Sequence, residues 1–240
     1  MGDGALIDYA RLLARGIGGW LQFERACSRS DLFGEKYLAH PIGQILSARS
    51  GNRARAEFKH PILAALASGP GRRPEVDFVV CEKYPSVSLA VESKWIGQSK
   101  PSVQSVLWDL IRLELLAHHE GARCFFVLGG KRSSLESYFA QLAFSDAKTK
   151  PQARPLLRHD SNVRHRTFLV PVDSVRVKIL KALFTPYQNQ EFAHRFYSRR
   201  TRPFPDPAPA NGFQVYVWEI SAAADRAVFK PKNSKHYRAS

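Results

Sequence analysis

Three cysteines in 240 residues, Cys27, Cys81 and Cys124, are too few and too scattered for a disulfide framework. They read as buried thiols, two of them on predicted strands. There is no Cys-x-x-Cys pair or Cys/His cluster, which argues against a zinc site despite eight histidines. The one adjacent pair, His118-His119, diverges by about a quarter turn in a helix and suits a helix C-terminus. Apolar runs long enough to cross a bilayer are also lacking, and MGDGALIDYA has neither the basic start nor the apolar core of a signal peptide. The expectation is a cytoplasmic protein without membrane contact. A Gly-rich phosphate-binding loop and internal repeats are absent too, which argues against an NTP-driven motor or a repeat array.

Acidic residues are the other shortage. Lys and Arg number 36 against 21 Asp and Glu, a formal charge of +15 and a pI near 10.0. Such an excess attracts polyanions, because phosphate contacts release counterions and that release drives non-specific nucleic-acid binding. No basic amphipathic helix points instead to a membrane surface. With 44% hydrophobic and 24% charged residues, the chain can bury one sizeable core.

The most informative stretch is Arg72 to Trp95, RRPEVDFVVCEKYPSVSLAVESKW. Val76 to Cys81 is short, apolar and β-branched, Glu82 to Ser86 carries a proline, and Val87 to Trp95 alternates. Together they predict a β-hairpin. Residues two apart on a strand share a face, so Glu92 and Lys94 project together while Val91, Ser93 and Trp95 point the other way. Glu75 and Asp77 likewise share a face. A hairpin closed around Lys83 to Ser86 brings Asp77 near Glu92. Two carboxylates and an ammonium beside polar backbone form a hard-cation site suited to Mg²⁺ or Mn²⁺ and to a phosphate.

Asp77 followed by Glu92-Ser93-Lys94 on the next strand, then a helix and a further strand, resembles the PD-(D/E)XK nuclease superfamily. The resemblance spans Asp31 to about Gly130. It departs from the pattern after Pro74, where Glu75 and Val76 precede Asp77, so Glu75 stays a rival ligand. Asp77 is preferred because it adjoins the apolar run Phe78-Val79-Val80. Glu57-Phe58-Lys59 has the same acid-x-Lys spacing but is set aside, since Pro61 and the following Ala/Leu run predict a loop and helix there.

The resemblance implies an α/β fold: a central mixed β-sheet flanked by helices, with a restriction-endonuclease-like core and a C-terminal extension. It implies hydrolysis of phosphodiester bonds, DNA favoured over RNA, with Asp77, Glu92 and the Ser93 carbonyl as metal ligands and Lys94 orienting or helping to deprotonate a water. A helix before the hairpin often supplies a further Glu, which Glu35 matches, with Glu24 as the substitute. An early Gln in the helix after the hairpin matches Gln104. Cutting both strands of a duplex would need a homodimer or a partner protein. A basic binding module of the same fold, or a basic structural protein of a ribonucleoprotein, would use the charge without the chemistry.

Elsewhere, helical spacing predicts Ala5 to Cys27, interrupted at Gly18-Gly19, and a second helix capped at Ser30-Asp31 and running through Leu46. A basic connector, Ala48 to Pro74, encloses a short helix at Ile62 to Ala67. A helix from Ser99 to Gly121 and a doubly covered strand at Cys124 to Leu128 follow, joined as a crossover. Further helices are expected at Ser133 to Phe144, from Asp173 or Ser174 to Phe184, and at Gln188 to Tyr197. Strands are expected at Thr167 to Val172 and Phe213 to Ile220, the latter at a sheet edge or in a small annex. Candidate phosphate contacts are Arg72, Arg73, Arg154, Arg158, Arg164, Arg199, Arg200 and Arg202. Phe192, Phe196 and Tyr197 interleave with the last of these, a pattern that can stack on bases. Residues 1–200 form the nuclease-like domain in this reading. Residues 201–240, a Pro-rich spacer, a strand and a basic, loosely ordered tail, pack on the same domain.

Overall fold

The architecture grows from the predicted hairpin, seen here in a computed structural model that describes residues 7–64, 66–67, 74–145, 155–170, 174–209 and 211–239. Strands β2 (Val76–Cys81) and β3 (Val87–Ile96) pair antiparallel with Phe78 opposite Val91 and Val80 opposite Leu89. The turn closes where the Glu82 N–H donates to the Ser86 carbonyl at 2.9 Å. From β3 the chain crosses over through α4 (Val103–His119), capped by Ser102 Oγ accepting from the Ser105 N–H, and returns as β4 (Arg123–Lys131) parallel to β3. The continuous apolar run of β4 is buried on both faces: Cys124, Phe126 and Leu128 enter one core, Phe125 and Val127 the other. That is what a strand without alternation requires.

Four more strands complete a seven-stranded mixed sheet: β1 (Ala54–Phe58), β5 (His165–Phe168), β7 (Arg195–Arg200) and β8 (Phe213–Ala222). Their order is β1-β2-β3-β4-β8-β7-β5. The two-residue strands β6 (Phe192–Ala193) and β9 (Val228–Phe229) pair separately. Helices α1 (Tyr9–Ala26) and α2 (Glu35–Ser50) cover one face, with Leu13, Ile17, Leu38 and Ile42 against Val91, Phe125, Val127 and Val217. On the other face lie α4, α5 (Arg132–Phe139) and α6 (Ser174–Phe184), beside the one-turn α3 (Pro61–Ala64). In α4, Leu107, Leu110, Leu113 and Leu116 are fully buried, each contributing about 1.5–3 kcal/mol by removal from water. No described helix is long and apolar enough to cross a membrane.

Several expectations are corrected. Residues Ala54–Phe58 form an edge strand paired with β2, not a loop, because the ladder compensates for mostly exposed side chains. Glu57 is exposed there, and Lys59 pairs with Glu75 at 3.3 Å, so this acid-x-Lys copy stays outside the Glu92 cluster. Gln188 to Tyr197 is not a helix: β7 alternates, burying Phe196 and Ser198 on its inner face. Phe213 to Ile220 is not an edge strand either, since β8 lies between β4 and β7. Residues from the 201–240 segment therefore complete the main sheet.

Gly18-Gly19 does not interrupt α1. Gly18 instead lets Phe204 approach, where a Cβ would meet the Phe204 carbonyl oxygen at 2.8 Å. Helix α2 starts at Glu35, after a 3₁₀ turn over Ser30–Leu32, and α5 stops at Phe139. The strand expected at Thr167 to Val172 covers His165–Phe168, and Val172 lies outside the described residues. The basic tail is packed, with Tyr237 fully buried and its hydroxyl donating to the Leu169 carbonyl at 2.6 Å. Of the cysteines only Cys124 is buried, Cys27 being exposed.

Candidate active site

Extending the β2–β3 register by one residue sets Asp77 opposite Glu92, just beyond the last paired residues, Phe78 and Val91. The Asp77 carboxylate takes over the ladder at this point. Its Oδ2 accepts from the Ser93 N–H at 2.7 Å and the Ser93 hydroxyl at 2.8 Å. A side chain thus satisfies a backbone donor that the neighbouring strand leaves free.

Glu92 and Lys94 share the α4 face of β3, as strand alternation predicts. Glu92 is fully buried, and α4 supplies two charges beside it. An Arg112 guanidinium nitrogen lies 2.9 Å from Glu92 Oε1 and 2.5 Å from Asp109 Oδ1. Among the described residues no donor hydrogen-bonds to either Glu92 oxygen; Arg112 is in ion-pair range but out of line. Lys94 Nζ is 3.0 Å from Glu35 Oε1, 3.2 Å from Asp109 Oδ2 and 3.1 Å from the Ser93 carbonyl oxygen. Glu35 reaches it from the first turn of α2, where its negative charge also suits the helix N-terminus.

The fields in this cluster follow from burial and from like charges held together. Desolvation, then repulsion from Asp109, push the Glu92 carboxyl well above the usual carboxylate range against the pull of Arg112. Asp109 is raised by burial too, opposed by Arg112 and Lys94. Burial alone would lower Lys94, but Asp109, Glu35 and Asp77 outweigh it and hold the ammonium above its ordinary value. Lys94 is therefore a firm cation and hydrogen-bond donor.

Four carboxylates, Asp77, Glu92, Asp109 and Glu35, face two cations, Lys94 and Arg112. When all are ionised the cluster carries two excess negative charges, the complement of one divalent ion. The Glu92 oxygens without hydrogen bonds and the hardness of the oxygen donors fit Mg²⁺ or Mn²⁺. Among the described residues no group of three or more His, Cys, Asp or Glu is drawn together as a ready metal-ligand set.

The structure thus brings together Asp77, Glu92, Ser93, Lys94 and Glu35. Glu75 pairs with Lys59, and Glu24 is buried against Tyr37 Oη at 2.6 Å and Arg29 at 2.9 Å. Gln104 is half-buried in the first turn of α4; the α4 side chains paired with Glu92 and Lys94 are Asp109 and Arg112. Sequence reasoning missed those two. Their signal was a charged i, i+3 pair inside the apolar run VLWDLIRLELL, where a solvated pair has no place.

Of the arginines, Arg72, Arg73 and Arg154 lie outside the described residues. Arg158 pairs with Asp160 at 3.2 Å, and Arg164 stacks 3.8 Å above the Tyr197 ring centroid. Arg200 donates to Asn162 and to the His159 carbonyl, Arg202 pairs with Asp206, and Arg199 is exposed on β7. Phe192 and Phe196 are core residues rather than stacking platforms.

Comparison with protein-family models, with curated proteins and with solved structures returns no match for this chain.

Proposed function

We propose that this protein is a metal-dependent nuclease of the PD-(D/E)XK type, with a restriction-endonuclease-like core, hydrolysing phosphodiester bonds in DNA in preference to RNA. The observation that carries the reading is the convergence of Asp77, Glu92, Lys94 and Glu35 where β2 and β3 part, with both Glu92 oxygens buried and without hydrogen bonds from the described residues. Asp77, Glu92 and the Ser93 carbonyl would hold Mg²⁺ or Mn²⁺, which when bound polarises the scissile phosphate and lowers the pKa of an attacking water. Lys94, held cationic by Glu35 and Asp109, aligns that water and offsets charge on the phosphate. Its raised pKa suits donation rather than proton abstraction. Asp109 fixes the Lys94 ammonium, and Arg112 balances Glu92 and Asp109 until a divalent ion enters.

One observation favours a second reading, a non-catalytic nucleic-acid-binding protein: Arg112 and Lys94 already pair with Glu92, Asp109 and Glu35. Labelled single- and double-stranded DNA and RNA, incubated with purified protein in Mg²⁺, Mn²⁺, Ca²⁺ or EDTA, separate the two. The nuclease reading expects cleavage in Mg²⁺ or Mn²⁺, none in EDTA, and loss of activity in Asp77→Ala but not Glu75→Ala. Binding of the same substrates without cleavage under any condition supports the second reading.

A further inference from the structure

On the opposite face of the sheet from Glu92 and Lys94 lies a cleft of about 630 Å³ between the start of α1 and strands β4, β8 and β7. Arg11 and Arg15 line it from α1, Arg123 from β4, Arg199 and Arg200 from β7, and Arg202 from the segment beyond. Its face follows from strand register: Arg199 pairs with Glu219, which pairs with Phe125, and Phe125 packs in the α1 core. Arg123 lies over the Tyr9 and Phe125 rings on the same side. The Arg200 guanidinium is bound to Asn162 and the His159 carbonyl, so among the described residues five arginines meet three carboxylates, Asp8, Asp206 and Glu219, an excess of two positive charges.

Those carboxylates are already committed. Asp8 caps α1 by accepting from the Arg11 N–H, Glu219 holds Arg123 at 3.0 Å, and Asp206 holds Arg202 at 2.8 Å. Arg11, Arg15 and Arg199 are exposed, and among the described residues theirs are the guanidinium groups left to meet a ligand. A second cleft of about 480 Å³ shares Arg123, Arg199 and Glu219 as walls and continues past the C-terminal end of α4 to Arg164, stacked on Tyr197. The two make one basic track, a shape suited to a linear polyanion rather than a compact one. Guanidinium forks match phosphate oxygens in geometry as well as charge.

We propose that this track is a second nucleic-acid site, an exosite that grips the phosphate backbone of a strand away from the point of cleavage. It deepens the nuclease reading and rests on it for the identity of the ligand. A substrate engaged at both places must pass around the edge of the sheet, so the site favours long substrates over short ones.

The test is duplex DNA binding in Ca²⁺ or EDTA, measured by fluorescence anisotropy between 50 and 200 mM salt, with Arg11→Gln/Arg15→Gln/Arg199→Gln beside wild type. Three lost phosphate contacts lower the salt slope by about three, so wild type should lose about 40-fold more affinity than the variant over that range. Removing equal charge from exposed sites elsewhere, Lys181→Gln/Lys232→Gln/Lys235→Gln, should leave the slope at its wild-type value. Arg199→Glu alone should weaken binding in the same direction, which guards against a misfolded triple variant. An unchanged slope in the triple variant overturns the exosite, as does an equal drop in the lysine variant. No cleavage step enters this assay. Loss of the slope difference with Mg²⁺-dependent cutting intact therefore condemns the track alone, whereas an intact slope difference without cutting condemns the nuclease reading alone.

Discussion

Removing Arg112 should expose the cation-binding character of the cluster without any reference to substrate. Its side chain is 13% exposed and sits between Glu92 and Asp109, which are 0% and 3% exposed. Arg112→Met keeps much of the volume but leaves two buried carboxylates facing each other with only Lys94 to offset them. Breaking one partner out of a buried ion pair costs about 3–5 kcal/mol. For a chain of this size each kcal/mol shifts Tm by about 2–4 °C, so a drop of about 6–20 °C is expected in EDTA at pH 8.

A divalent ion should then replace the lost cation. Binding only the native state, it stabilises by about 2.7 kcal/mol at a hundred times its dissociation constant. Arg112 no longer competes with it, so Mg²⁺ or Mn²⁺ should raise the Tm of Arg112→Met further than that of wild type. Differential scanning fluorimetry across a metal titration is the assay. If the variant melts with wild type in EDTA, Glu92 and Asp109 do not depend on Arg112. Identical metal shifts in both proteins would refute the idea that guanidinium and metal compete for one site.

Lys94→Arg keeps the charge but replaces a compact ammonium with a planar fork, and should lose about 10²-fold or more in turnover with DNA binding intact; cleavage at the wild-type rate would remove Lys94 from the reaction. The raised Glu92 pKa has a definite sign: stability it contributes is fully present below its ordinary value of 4.5 and is lost as pH rises through the folded-state value. Thermal melts in EDTA should fall across that window and flatten in Mg²⁺, and a metal-independent profile would contradict the placement of Glu92. Tyr237→Ala should cost about 3–5 kcal/mol and Tyr237→Phe about 1 kcal/mol by denaturant unfolding, because the ring is buried and its hydroxyl bonded; negligible change would mean the tail does not pack.

The hairpin was legible because an apolar, β-branched run and an alternating run flank a short segment that carries Pro85, and two-residue periodicity fixes which residues share a face. Lys94 and Glu92 came with it. Asp109 and Arg112 did not: the apolar positions of α4 complete a helical stripe by themselves, so the charged i, i+3 pair inside that run was passed over although a solvated pair has no place there. Strand β1 carries no burial signal, its residues being mostly exposed, and only pairing to β2 makes it a strand. Phe192 and Phe196 are four apart, which fits a helix face as well as it fits two strands with a break between them. The interior position of β8 depends on long-range pairing with β4 that no local pattern encodes.

The most direct test is single-turnover cleavage of labelled duplex DNA by wild type and Glu92→Gln, side by side in Mg²⁺. Gln keeps the shape and removes the charge that would hold the ion, so wild type should cut and Glu92→Gln should not, while both bind DNA in Ca²⁺. Equal cutting by the two proteins, or none by well-folded wild type across the DNA and RNA panel, would contradict a metal-dependent nuclease centred on Asp77, Glu92 and Lys94.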